Sequence, residues 1–549
     1  MLISDWDIWH TYSSFLETSQ IDLMQIGKAL VESGIAPCVL HRDGRTWWET
    51  DKGPRSGYTQ VELNSRRIGA KITLEVDGGS ESGLEGYAWE AWYQASHFRF
   101  NELRLCMDGP LPPPYIRAVL GEFHLTSSEE DFGVILYPVV KLFESGVILV
   151  QFRTIAPDRD ISIQEFISRH VNLGCISFDE IEVPPAITDF GAKSYYHSVA
   201  NWPLRLRYVL QKAEREHRRK IVTETKEIRS GDFTAQLTLL PRKDLAGETL
   251  SSLAQTIYSI FGFVASNPRS GAAFLLRGQR RIIRPGPYWC GRPHVYLLDF
   301  EGQKASAEEN VEAFGREFGW IHGRHPGGAS KTGLRYLPED RRHFDDYSAF
   351  ISETVSLWVW STDGKEKQEE WADLNRGHLI YEQQATIELF EYGYMLHRAL
   401  LAKIETAKSS IEVHELRWAV NHLQSSVADA THFGETRDLL HAGWKEVGLV
   451  DLKARIMEGL LIRSDQTAVR ETRENERISR WLTIIFGVVA VPPIATEVLR
   501  PMWAFLGWWQ PNSIHAKSLF FIAIALSFVI VTVVAISAWS KRARNLYKP

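Results

Sequence analysis

The sequence predicts a mixed α+β / α/β cytoplasmic region followed by long stalk helices and a C-terminal two-helix transmembrane hairpin. Three observations predict it. Two apolar runs, Trp481–Leu499 and Ser518–Trp539, close the chain, and the second is uncharged over about 20 residues, enough to cross a hydrocarbon core of ~30 Å as a helix. The stretch before them is densely charged and free of proline from Asp451 to Pro492, which reads as one long helix. The first 365 residues instead alternate short strand-like runs with helix and turn signals.

A chain of 549 residues has room for two or three domains besides the hairpin. The expected order is a strand-rich mixed domain over 1–200, an α/β domain over 201–365 and a helical stalk over 366–480. The first span over 481–499, a short outer loop over 500–517, the second span over 518–540 and a basic tail over 541–549 follow. The net charge of -6 argues against a nucleic-acid partner, which would favour a basic face. Cys38, Cys106, Cys175 and Cys290 are far apart, which fits a reducing compartment better than a disulfide framework. The opening residues lack the basic and apolar regions of a signal peptide.

Taken in order, a helix is expected over Ile21–Glu32, ended by Gly34. Thr59, Val61 and Leu63, then Ile72, Leu74 and Val76, alternate with polar residues as strands do. Gly133–Phe143 and Val147–Thr154 flank Glu144-Ser145-Gly146 and read as a hairpin. Ser162 and Glu165 form a capping box for a helix that stops near Gly174. Arg205–Arg229 is a basic cluster with interleaved acids, read as a solvated helix. The uncharged run Leu250–Ala265 is too short and too rich in Ser, Thr and Gln for a span, so a buried core helix is expected. Val295–Phe300 followed by Glu308–Phe318 is a strand-helix unit, and Val355–Ser361 is a further strand.

Beyond residue 365 the pattern is helical. Ile380, Ile387, Tyr394 and Leu401 repeat every seven residues. Val413–Ala430 and Thr436–Val447 are shorter helices, and Asp451–Leu499 forms a stalk on the order of 70 Å that needs partner helices. Arg470, Arg473, Arg477 and Arg480 before the first run, with Lys541, Arg542, Arg544 and Lys548 after the second, place both termini in the cytoplasm and the chain in the inner membrane. Trp503, Trp508, Trp509 and Trp539 sit where an aromatic belt is expected.

This layout, with Leu482-Thr483-Ile484-Ile485 and Pro492 in the first run, resembles the CorA-like family of divalent cation channels. The family's Gly-Met-Asn signature is absent; its place holds Pro501-Met502-Trp503 or Thr496-Glu497. The resemblance implies a homo-oligomer, a pentamer by the family's pattern, with the first span lining a pore. It implies no bound cofactor beyond a divalent cation such as magnesium as transported or regulatory ion. The remaining expected partners are membrane lipid and a small cytoplasmic ligand.

Thr483, Gly487, Ala490, Ile494 and Glu497 recur at spacings of four and three, so they fall on one smaller, more polar helix face. That face is the pore-lining candidate, with Glu497 as a carboxylate ring favouring cations. The plainer use of Gly487 and Ala490 is close helix packing. Glu471, Glu474 and Glu476 are interleaved with arginines, so intrahelical pairs are favoured over a metal site. Gly328-Ala329-Ser330-Lys331-Thr332 lacks the Gly before Lys that a phosphate loop needs. No catalytic motif stands out, so an enzyme is not expected. The functional expectation is a CorA-like cation channel gated by its cytoplasmic region, in the manner of a ligand-gated defence effector. The alternative is a membrane-anchored binding or scaffold protein with no pore.

Overall fold

The computed structural model describes residues 1–549 except 19–20, 64–69, 80–81, 106–112, 129, 199–214, 217–218, 231–232, 241–248, 267–282, 289, 327–336, 343–344, 372–377, 429–433, 495–496, 499, 508–513, 515–516, 519–520, 523, 526–527 and 530–549. Within helices and strands, some further side chains, among them those of Gly487, Ala490 and Ile494, also lie outside the description. The chain divides into two compact units. One comprises Met1–Lys403 with Leu416–Met457, the other Ile404–Glu415 with Glu458–Pro549.

Among the described residues, the first unit is built on a sixteen-stranded sheet. Its strands are β1 (Leu2–Phe15), β2 (Cys38–His41), β3 (Arg45–Trp48), β4 (Arg55–Leu63), β5 (Ala70–Val76), β6 (Tyr115–Val119), β7 (Phe123–Ser127) and β8 (Phe132–Phe143). They continue with β9 (Val147–Ile155), β10 (Ile161–Ser162), β11 (Glu180–Val183), β12 (Lys226–Ser230), β13 (Phe233–Leu239), β14 (Cys290–Phe300), β15 (Tyr347–Ile351) and β16 (Ser356–Trp360). The main order is β15-β16-β14-β1-β9-β8-β6-β2-β3-β4-β5, so strands from both sides of residue 200 share one sheet. β1 lies near the middle, antiparallel to β9 on one side and to β14 on the other. The β8–β9 hairpin turns through Gly146 at φ +94, a conformation that favours glycine.

One sheet face is apolar. Tyr12, Phe152, Val150, Ile148, Val140, Leu142, Ile116 and Ala118 pack there against α1 (Leu23–Glu32) and the later helix Leu250–Ser266. Asp22 caps α1, its side chain accepting from the Gln25 N–H, and Gly34 follows the helix with φ +68. Leu250–Ser266 is the buried core helix that its composition implies. Towards the β14–β16 edge, Trp6, Ile8, Val295, Leu297 and Leu357 meet Phe318 and Ile321 of the helix Ala307–His322. The other face lies under α2 (Gly86–Leu105) and the helix His378–Thr406. In chain order the helices used below are α3 (Leu250–Ser266), α4 (Ala307–His322), α5 (His378–Thr406), α6 (Ser410–Ala428), α7 (Gly434–Glu446) and α8 (Leu449–Ile494). The helix expected to begin at Ser162 keeps its cap, Ser162 accepting from the Glu165 N–H, but after one turn it passes into a π-helix over Phe166–Val171.

In the second unit, α8 carries the charged stretch and runs on to Ile494. The expected transmembrane hairpin is corrected: among the described residues no helix is long and apolar enough to cross a membrane. The physical reason lies in the length of the apolar part. Trp481–Ile494 gives α8 an apolar end of about 21 Å, short of a hydrocarbon core of ~30 Å, and Arg477 and Arg480 precede it. Most of the second run, Ser518–Trp539, and the basic tail lie outside the described residues, as do residues 205–214, 217 and 218 of the Arg205–Arg229 cluster, whose end is not the expected helix but the strand Lys226–Ser230. The multi-pass inner-membrane placement and the membrane, transmembrane and CorA-type ion-transport character that rested on two spans are corrected with the hairpin.

Candidate functional site

The register places charge on the sheet face beneath α5. Asp7, Trp9, Thr11 and Ser13 of β1 share that face with Gln151 and Arg153 of β9, Lys141 of β8, Arg117 of β6, and Arg292, His294 and Tyr296 of β14. Side chains alternate along a strand, so the same five strands show their apolar residues to the other side. From above, Tyr381, Gln384, Glu388 and Glu391 of α5 descend at spacings of three, four and three, which is one helix face. Each of them meets a sheet partner.

At the β6–β8 side, four charges close a ring. Arg117 donates to both Glu388 oxygens, at 2.9 and 2.5 Å, and to Glu102 of α2 at 3.0 Å. Lys141 Nζ lies 2.8 Å from Glu388 and 2.5 Å from Glu102. The Tyr115 hydroxyl also donates to Glu102. Arg117, Lys141 and Glu388 are at most 1% exposed, so each charge depends on the others for solvation. Burial alone would raise the Glu388 carboxyl, but Arg117 and Lys141 outweigh it and hold the pKa down at about 2.

Along β1 the pairs continue. Arg153 grips Asp7 through Nε and Nη2, at 2.9 and 2.6 Å from Oδ2, and reaches Tyr381 at 3.4 Å. The Tyr296 hydroxyl donates to Gln384 Oε1 at 2.8 Å. At the β14 side Ser13 donates to Glu391 at 2.9 Å. Arg292 Nη1 lies 2.9 Å from Glu391 Oε1 but off the donor axis, so charge attraction joins them without a hydrogen bond. Burial accordingly raises the Glu391 carboxyl, Arg292 pulling against it without prevailing. His294 is held well below its usual range, first by burial and then by Arg292, and sits 2.7 Å from the Ser356 hydroxyl through Nδ1. Four cations (Arg117, Lys141, Arg153, Arg292) thus face four carboxylates (Asp7, Glu102, Glu388, Glu391), and the seam is neutral overall.

None of these residues stood out in the sequence as a site. The available signal was charge inside apolar strands: Arg117 in Tyr115–Val119, Lys141 within Val139–Phe143 and Asp7 between tryptophans. The residues that did stand out lie on α8. Thr483 is exposed, its hydroxyl donating to the Ser479 carbonyl at 2.8 Å. Gly487, Ala490 and Ile494 belong to the same helix, and Glu497 is exposed beyond its end. At 100° per residue Thr483 falls outside a second, apolar face. There Ile478, Trp481, Leu482, Ile485 and Phe486, all at least 47% exposed, span an arc of about 140°. Upstream, Arg480 pairs with Glu476 at 2.9 Å and Arg470 with Glu474 at 3.5 Å. Glu471 accepts from both the N–H and the hydroxyl of Ser410 at the start of α6. These contacts occupy the stalk acids, and among the described residues no group of three or more His, Cys, Asp or Glu is placed to hold a metal ion.

No family model, no curated protein and no solved structure matches the chain.

Proposed function

We propose that this chain is a self-assembling binding protein without catalytic action, its copies joined through the apolar face of α8. The observation that carries this reading is the row Ile478, Trp481, Leu482, Ile485 and Phe486, exposed where the densely charged stretch of α8 gives way to its apolar end. Large apolar residues left in water at helical spacing favour a like helix as cover, since matching 3.5-residue steps keep the row in contact. Asn475 lies on the same side, seven residues before Leu482, and a polar residue in that phase favours parallel, in-register pairing with its own copy. The flanking Arg470, Arg473, Arg477 and Arg480 against Glu471, Glu474 and Glu476 leave little net charge to repel a second copy. The neutral, sealed ion network beneath α5 suits a rigid recognition body better than a reaction centre. The reading needs no membrane span and no pore.

Light scattering on the full chain tests it. The wild type should have the mass of a discrete oligomer, and Leu482→Glu with Ile485→Glu should reduce it to a monomer while the sheet's circular dichroism is kept. A monomeric wild type, or a variant of unchanged mass, overturns the reading.

A further inference from the structure

Among the described residues, a row of polar atoms on the sheet beneath α5 is buried without hydrogen-bond partners. Thr11 stands opposite Gln151 of β9 on one side and Arg292 of β14 on the other. Thr11, Gln151 and His294 are fully buried, as is Gln384 above them, and Arg292 is 3% exposed. Among the described residues, Thr11 Oγ1, both amide atoms of Gln151, Arg292 Nε, His294 Nε2 and Gln384 Nε2 make no hydrogen bond. The large majority of buried polar groups are paired, and a concentration of bare ones on three neighbouring strands calls for something to pair them.

We propose that this row is the floor of an enclosed binding site for a small uncharged molecule that presents an acceptor beside a donor on one planar edge. A primary carboxamide and a nucleobase share that chemistry. The amide of Gln151 supplies the complement, its nitrogen donating and its oxygen accepting, as glutamine does in two-point recognition of a base edge. Arg292 Nε and the Gln384 amide add donors, and the Thr11 hydroxyl serves either way. The guest is uncharged because the surrounding cations and carboxylates already cancel, and a further buried charge would stand uncompensated. All of these groups are shut from solvent, so entry requires local lifting of α5 from the sheet.

The thermal midpoint of the full chain, followed with nicotinamide, adenine, nicotinate and AMP at millimolar concentration, tests the site. Nicotinamide or adenine should raise the midpoint by a few degrees, while nicotinate and AMP leave it in place; which uncharged probe acts separates a carboxamide from a base. Thr11→Val with Gln151→Leu should remove the response. Gln384→Met, on the helix side, gives the same loss independently of how the strand variant folds. The proposal is overturned when neither uncharged probe shifts the wild type, when the charged counterparts act equally, or when the response survives in both variants.

Discussion

Replacing Glu388 with Gln removes one carboxylate from the buried ring and leaves Arg117 and Lys141 sharing Glu102 alone. The size of the effect follows from linkage. The Glu388 carboxyl sits at about 2 in the fold, where burial is outweighed by Arg117 and Lys141, against 4.5 without them. That difference is worth about 3 kcal/mol at pH 7, in line with the ~3–5 kcal/mol cost of breaking a buried pair. The sign is that of a depressed carboxylate: the stabilisation is complete above pH ~4.5 and is lost as pH falls towards 2. Glutamine does not titrate. Urea unfolding followed by tryptophan fluorescence should therefore give a wild type more stable than Glu388→Gln by about 3 kcal/mol at pH 7, narrowing to about half of that at pH 3. A gap below about 1 kcal/mol at pH 7, or one equally wide at both pH values, would refute the reasoning.

Other perturbations follow from the same contacts. Asp7→Leu strands Arg153 and should cost ~3–5 kcal/mol, whereas Asp7→Leu with Arg153→Met should cost less than the single change, as a double-mutant cycle in urea would show. Gly27→Ala gains about 1 kcal/mol of helix propensity, but its Cβ would lie 2.7 Å from the Trp47 ring; overpacking of ~1–3 kcal/mol should win, lowering the melting point. Acrylamide quenching of a chain with Trp481→Phe should lose an accessible component in dilute monomer and little in concentrated oligomer, because Trp481 is 59% exposed in one copy and the proposed pairing would cover it.

Much of the scaffold is legible where one face is apolar and the other wet. The helix Leu23–Glu32, the β8–β9 hairpin, the core helix Leu250–Ser266 and the long helix from Leu449 all follow from period and capping. β1, on which the sheet is centred, does not. Asp7, Thr11 and Ser13 are buried on one side and Trp6, Ile8, His10 and Tyr12 on the other, so the usual contrast between apolar and polar positions is erased. The seam is hidden for the same reason. Ile380, Ile387 and Tyr394 read as the inward stripe of α5, yet Glu388 and Glu391 between them are also fully buried, because strand partners far away in sequence neutralise or bond them. Pairing across 271 positions, as between Arg117 and Glu388, leaves no local trace. The apolar C-terminal end of α8 is legible as a stripe, but a stripe alone does not distinguish a bilayer from another helix.

Assembly through that stripe is tested most directly by cysteines placed one at a time along α8 in the full chain, with Cys106, Cys175 and Cys290 replaced by Ser and the buried Cys38 kept. Parallel, in-register pairing predicts that Ile478→Cys, Leu482→Cys and Ile485→Cys form interchain disulfides on mild oxidation, while Ser479→Cys and Thr483→Cys do not. Equal cross-linking at all five positions, or none at Ile478, Leu482 and Ile485, would contradict it.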